Sequence, residues 1–149
     1  MPVKTFILKS ESITIRRRDW ELADRTLLKA SNANPITMGE WLQVDANNQM
    51  IRADGTVPAF AVWAETGRTD TQGIGKVPVL FLGSYHAETL IFNSISAPAL
   101  GAALEVATVT YDSLSKSGLQ TQSSGLTVGY VLRTAASNGG YLQFIQTQA

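Results

Sequence analysis

From Gly39 onward, short runs of β-branched and aromatic residues alternate with turn-forming residues about every ten positions, and few architectures suit such a chain. The runs are 41–44, 50–52, 60–64, 77–82, 89–92, 104–111, 126–133 and 141–146. Segments this short are too brief for buried helices. As strands they must pair with one another to satisfy their backbone groups. The expected fold is all-β, a small β-barrel or β-sandwich. Asp45-Ala46-Asn47-Asn48 closes the first run, and Asp54-Gly55 after the second is a hairpin signal. The run 77–82 is the most apolar and is expected to be a buried strand, with Pro78 tolerated near its start. The last two runs are expected to form a hairpin around Ser137-Asn138-Gly139-Gly140. Leu126, Val128, Tyr130 and Leu132 fall on one face of their strand. Gly129 falls on the other, where a second backbone approaches or the sheet bends.

The first 38 residues read differently. All 12 glycines lie at or after Gly39, so a glycine-free stretch precedes a glycine-punctuated body. The expected organisation is an extended N-terminal arm, residues 1–38, and a barrel or sandwich body, residues 39–149, able to fold without residues 1–30. Residues 5–16 predict one or two strands. Ile13 and Ile15 alternate with Ser12, Thr14 and Arg16, the pattern of a strand with one buried face. Residues 18–30 predict a helix, with Trp20, Ala23, Leu27 and Leu28 near helical spacing and Asp19 as its cap. Residues 31–35 are a loop.

Charge sets the range of partners. The chain has 12 basic and 12 acidic side chains, and only 16% of its residues are charged, against roughly 25% in ordinary domains. A surface poor in charge is easier to desolvate and suits protein contacts. A net charge of zero supplies no field to draw in nucleic acid or an anionic membrane, and it favours association. The charge is uneven. Residues 1–30 hold seven basic and four acidic side chains, net +3, and the remainder carries net −3. The N-terminal segment is thus suited to an acidic partner or to the body of another copy. The absence of cysteine excludes disulfides and thiolate metal sites and fits synthesis in a reducing cytosol. The apolar run Phe6-Ile7-Leu8 is too short for a signal-peptide core, and no stretch approaches the roughly 20 residues of a membrane span.

No catalytic constellation stands out, and the expectation is a protein that is not an enzyme. His86 is the only histidine. Ser84, Glu88 and Asp70 are available to it, but no nucleophile elbow surrounds Ser84, and His86 is expected on the surface or in a loop after run 77–82. One histidine without cysteine makes a poor zinc site, and the acids from Glu40 onward are scattered singly. Neither a metal nor a cofactor is expected. Paired carboxylates for glycoside cleavage meet in space rather than in sequence, but so small a barrel leaves little room for a deep cleft. Gly73-Ile74-Gly75-Lys76 lacks the spacing and the hydroxyl residue of a phosphate loop and precedes a strand, so it reads as a turn. Arg16, Arg17 and Arg18 beside Trp20 are interleaved with Asp19, Glu21 and Asp24. That mixed charge suits a protein contact better than nucleic acid. The polar loop 67–75 carries Arg68, Asp70 and Gln72 and is long enough to be a contact loop. The expected partner-binding residues are Phe6, Ile13, Ile15, Arg16, Arg17, Arg18, Trp20, Arg68, Asp70 and Gln72.

Several local motifs together resemble the capsid decoration, or cement, proteins of tailed bacteriophages. They are Gly39-Glu40-Trp41-Leu42, Trp63-Ala64-Glu65 with Gly67-Arg68 and Asp70-Thr71-Gln72, and Gly75-Lys76-Val77-Pro78-Val79-Leu80-Phe81. Val128-Gly129-Tyr130-Val131 and Gly140-Tyr141-Leu142-Gln143-Phe144 complete the set. The resemblance is one of texture and covers most of the chain. It implies a small β-body on the outside of an icosahedral shell, bound to the major capsid protein, often a dimer or trimer, with an N-terminal arm gripping neighbouring subunits. The implied location is the capsid exterior of a virion assembled in the host cytoplasm. Three other readings compete: a tail or baseplate component, a carbohydrate- or receptor-binding module using Trp20, Trp41 or Trp63 as its platform, and a hydrolase with an inter-subunit site.

Overall fold

The expected alternation of strand and turn is what the chain adopts, in three sheets. The computed structural model describes residues 4–66, 75–137 and 140–147. Eleven strands occur among them: β1 Phe6–Glu11, β2 Arg16–Glu21, β3 Trp41–Val44, β4 Met50–Arg52, β5 Phe60–Ala61, β6 Lys76–Leu82, β7 Tyr85–Thr89, β8 Ala103–Tyr111, β9 Leu114–Thr121, β10 Gly129–Arg133 and β11 Leu142–Gln146. A six-stranded antiparallel sheet, in the order β1-β7-β11-β10-β8-β9, curls into half a barrel. The pair β2-β6 and the triplet β4-β3-β5 form two smaller sheets that pack against it through Trp41 and Leu80. Single bridges, Val62 to Val79 and Leu22 to Met50, join these two small sheets to each other.

Alternation along β3 and β6 divides the interior into two cores. Trp41 and Leu80 join Phe6, Tyr85, Leu104, Leu119 and Phe144 against the large sheet. Leu42, Val77 and Val79 turn the other way, onto Trp20, Leu22, Ile36 and Met50. A strand buried on both faces reads as a continuous apolar run. That is why 77–82 lacks polar alternation.

The expected arm is corrected. Residues 4–38 are built into the body and supply both cores. Phe6 is 2% exposed, and Trp20, Leu22, Leu28, Ile36 and Met38 are buried. β1 pairs with β7 over Phe6 to Thr89 and Glu11 to Tyr85, and β2 pairs with β6 over its whole length. The chain shows no boundary at residue 38: the Thr5 hydroxyl donates to the Met38 carbonyl, and the Gly39 amide donates to Val62 at 2.9 Å. A glycine-free, strand-forming segment exposes backbone groups that need partners, and two edge positions of the fold supply them. Each of its large apolar side chains contributes about 1.5–3 kcal/mol by burial, so residues 39–149 do not carry the core alone.

Other differences follow from the same pairing. The helix expected over 18–30 is absent. Residues 18–21 lie in β2, and only a 3-10 turn, Arg25–Leu28, remains, capped by Asp24 through the Thr26 amide at 3.0 Å. The ladder offered by β6 outweighs a weak helical pattern. Asp54-Gly55 does not close a hairpin, because β4 and β5 lie on opposite sides of β3. The strand expected over 89–92 ends at Thr89, and His86, expected after the strand, lies within β7. β9 was not expected at all. It joins β8 through Asp112 and Ser113, both at positive φ (51° and 64°), the two-residue turn that suits a twisted hairpin. The hairpin of β10 and β11 forms as expected. At Gly129 a Cβ would overlap the Ile145 carbonyl oxygen, so this is a close backbone approach. Its neighbours split: Val128 is buried, while Leu126, Tyr130 and Leu132 are exposed.

One buried ionic cluster docks the layers together. The Glu40 carboxylate is 0% exposed. Its Oε1 accepts from Arg52 Nε at 2.8 Å and from the Ser117 amide at 3.0 Å, and its Oε2 accepts from the Thr37 amide at 2.7 Å. Lys116 Nζ stands 3.7 Å away and donates to the Pro35 carbonyl at 2.6 Å. Replacing Glu40 by Gln would leave Lys116, itself 2% exposed, and Arg52 without their counter-ion. The expected loss is about 3–5 kcal/mol of folding stability, measured by urea denaturation. A loss below 1 kcal/mol would show that the cluster is dispensable.

Candidate interaction surface

The turn between β1 and β2 presents the most exposed large apolar side chain among the described residues, Ile13. The Ser12 amide donates to Ser84 O at 3.0 Å and the Ile15 amide to Ser12 O at 3.2 Å. The Ser12 and Thr14 hydroxyls meet at 2.8 Å. Arg16 Nη1 donates to Ile15 O at 2.9 Å and to Ile13 O at 3.4 Å. Gly83, at φ +96°, packs beneath, where a Cβ would stand 2.6 Å from Ile15 Cα. The two isoleucines therefore part company, against the expected strand. Ile15 packs onto the main core, and Ile13 is 97% exposed at the tip. A turn places them because Ser12, Thr14 and Arg16 bond locally and remove the segment from the ladder.

The three arginines are exposed but held. Arg18 lies 3.8 Å from the Trp20 ring centroid, and Arg17 lies 4.7 Å from that of Trp63 while bonding Glu11 Oε2 at 2.7 Å. Successive residues of β2 point to opposite faces, so the Arg17 and Arg18 guanidinium groups cover different aromatic groups. Trp20 stacks on Phe60 at 5.9 Å and meets Phe81 edge-on at 5.4 Å. Of the expected partner-binding residues, Ile13, Arg16, Arg17 and Arg18 are exposed, with Arg17 and Arg18 on opposite faces of β2. The structure removes Phe6 and Trp20, which are core, and leaves Ile15 only partly accessible. Arg68, Asp70 and Gln72 lie outside the described residues. Arg16 pairs with Leu82 and Glu21 with Lys76, so the arginines begin at the end of β6 remote from Gly75.

A second exposed apolar group was missed from sequence. Tyr130 and Leu132 project from the outer face of β10. The Gly101 amide donates to Val131 O at 3.0 Å, which sets Leu100, 70% exposed, beside that strand. Ile95, at 93%, stands on a turn held by Asn93 Oδ1, which accepts from the Ile95 and Ser96 amides. The period-two pattern of residues 126–132 was visible, but it does not say which face meets water.

Shallow depressions among the described residues hold further polar groups. One, of about 300 Å³, is lined by Asp54, Thr56, Glu105 and Ser124 among others. The Thr56 hydroxyl, then its amide, lowers the Asp54 pKa. Burial raises that of Glu105, but the backbone amides of Ser123, Gly125 and Ser124 outweigh it and hold the carboxyl below its usual value. Asp54 is thus engaged within its own loop, and Glu105 by the loop after β9. Another depression, of about 270 Å³, is lined by Ser10, Glu11, Ser12, Ser84, His86 and Ile145 among others. His86 is half-buried, in register with Ser10 and Ile145, and its Nε2 is buried without a hydrogen-bond partner among the described residues. Glu88, two residues on, pairs with Lys9 at 3.2 Å. Among the described residues, no three histidine or acidic side chains gather as metal ligands, and no helix is long and apolar enough to cross a membrane.

Two outcomes follow. Arg18→Ala should lower stability by about 0.5–1 kcal/mol in urea, the worth of an exposed cation–aromatic contact. Glu105 has a folded pKa below its unfolded one, about 4.3. Its contribution is therefore complete above the unfolded value and is lost as pH falls through the folded one. Glu105→Gln should flatten the acid limb of the stability profile below about pH 4.3, followed by thermal melts across pH. Compared with known proteins, the chain matches no family model, no curated protein and no solved structure.

Proposed function

We propose that the protein is a structural component of a tailed-phage virion that binds the outside of the capsid and stabilises the shell. The observation that carries this reading is a β-body that presents large apolar side chains on its turns and strands, in a chain with only 16% charged residues. Ile13, Ile95 and Leu100 are each at least 70% exposed, and Tyr130 and Leu132 extend the set along β10. Apolar groups held in place by turns and strands lose little freedom on binding, so more of their burial appears as affinity. The resemblance of the strand motifs to cement proteins supplies the kind of partner, the major capsid protein. The grip is that of a preformed surface, since residues 4–38 belong to the core. The tryptophan platform of a carbohydrate-binding module loses its footing here: Trp20 and Trp41 are buried, and Trp63 lies under Arg17.

Such a protein acts by mass action. It binds the assembled shell and not the dissociated subunits, and a hundredfold excess over Kd stabilises each site by about 2.7 kcal/mol. Particles assembled without it should form but rupture at lower temperature or milder osmotic shock. Adding the purified protein back should restore the threshold, and Leu100→Asp with Leu132→Asp should restore it less. Equal thresholds with and without the protein would exclude the reading.

A further inference from the structure

We infer that the Glu105 carboxylate latches a seam between the half-barrel and the sheet β4-β3-β5, and that acid opens this seam while the rest of the fold stays closed. Glu105 lies on β8 and is 6% exposed. Its Oε1 accepts the amides of Ser123, Ser124 (3.2 Å) and Gly125 (3.5 Å), in the loop that follows β9. Three donors on one atom suit an anion, and charge-assisted bonds are roughly twice as strong as neutral ones. The loop passes the restraint on. The Leu126 amide donates to Gly55 O at 3.0 Å. Gly55 lies between β4 and β5, so close to β8 that a Cβ there would stand 2.5 Å from Val106 O. The loop held by Glu105 thus pins the turn after β4 onto the half-barrel.

Little else holds this seam. Ser123, Ser124 and Leu126 are exposed. Across β9, Glu105 is in register with the neutral Gln120. The depression beside it holds one further titratable group, Asp54, and none of its lining residues is basic. Protonation of Glu105 therefore removes the charge that gathers the three amides and sets an O–H donor among N–H donors. Asp54 accepts from the amide and hydroxyl of Thr56, so acid slackens the facing turn as well. Burial raises the Glu105 pKa, but the loop amides outweigh it, and Thr56 lowers that of Asp54. Both groups are thus fully engaged above their unfolded values, about 4.3 and 3.9, and let go as pH falls through the folded ones. The Glu40 cluster joins the same layers elsewhere. The opening is consequently local, and local openings cost less than global unfolding.

Amide hydrogen exchange of the purified chain, followed residue by residue by NMR, tests this. On acidification to about pH 3.5, below the unfolded values, protection factors at Ser123, Ser124 and Gly125 should fall at least about tenfold. Those of the β10–β11 hairpin should hold. Glu105→Gln keeps the shape and removes the charge. It should show the lowered protection already at neutral pH and no further loss in acid. Asp54→Asn should leave the three amides protected and loosen that of Thr56, since the loop rests on Glu105. Three results would overturn the inference: loop amides that stay protected in acid or in Glu105→Gln, loop amides released by Asp54→Asn, or hairpin amides that exchange together with the loop. The measurement concerns the chain alone, so its outcome leaves the proposed function untouched.

Discussion

The fold turns on a single buried carboxylate. Glu40 sits where the loop before β3, strand β4 and strand β9 converge, and it receives hydrogen bonds or charge from Thr37, Arg52, Lys116 and Ser117. Those partners belong to layers that otherwise meet largely through apolar contacts, which are not directional, with a few hydrogen bonds such as that from the Trp41 amide to Ser117 Oγ at 3.2 Å. Buried ion pairs often add modest net stability, but any packing that separates them leaves a bare charge in a low-dielectric interior, at several kcal/mol. Arg52 extends the clamp by donating to Asn34 O at 2.9 Å and Pro35 O at 3.2 Å. The small sheets are thereby held in one register against the half-barrel, and the cores on the two faces of β3 and β6 form together.

That arrangement explains the role of the N-terminal segment. β1 extends the large sheet and β2 pairs with β6, so the segment crosses from one core to the other. The turn between them is anchored at both ends, with Gly83 closing tightly beneath it. Its exposed isoleucine is consequently a fixed projection. Of the arginines that follow, Arg17 and Arg18 lie over aromatic rings, Arg17 also pairs with Glu11, and Arg16 holds the turn carbonyls, so all three are tethered at the surface.

A surface built this way suits recognition of a partner by shape. Few charges need desolvating, and the exposed apolar groups sit on strands and short turns. The depressions are shallow, and in the one holding Asp54 and Glu105 the carboxylates are occupied by Thr56 and by the amides of residues 123–125.

How much of this was legible beforehand depended on the range of the interactions involved. The all-β class, the hairpin of β10 and β11, the burial of Val77 and Val79 and the close approach at Gly129 all follow from local features: period, turn residues and the absence of a side chain. The surface position of Arg16, Arg17 and Arg18 was also evident from composition. The N-terminal arm was not correct, because glycine content describes backbone freedom and not whether a strand finds a ladder. β9 escaped notice because Lys116, Ser117 and Gly118 look polar or small, and only the pairing with β8 and the contact with Glu40 bury them. Glu40 itself carries no sequence signature, since its partners lie up to 77 positions away. Sequence alone determined which segments extend and where they turn, because those are near-neighbour effects of dihedral preference and side-chain shape. Only the tertiary structure decided which face of each strand meets water, and so which isoleucine is core and which is projection, because burial depends on what the rest of the chain brings alongside.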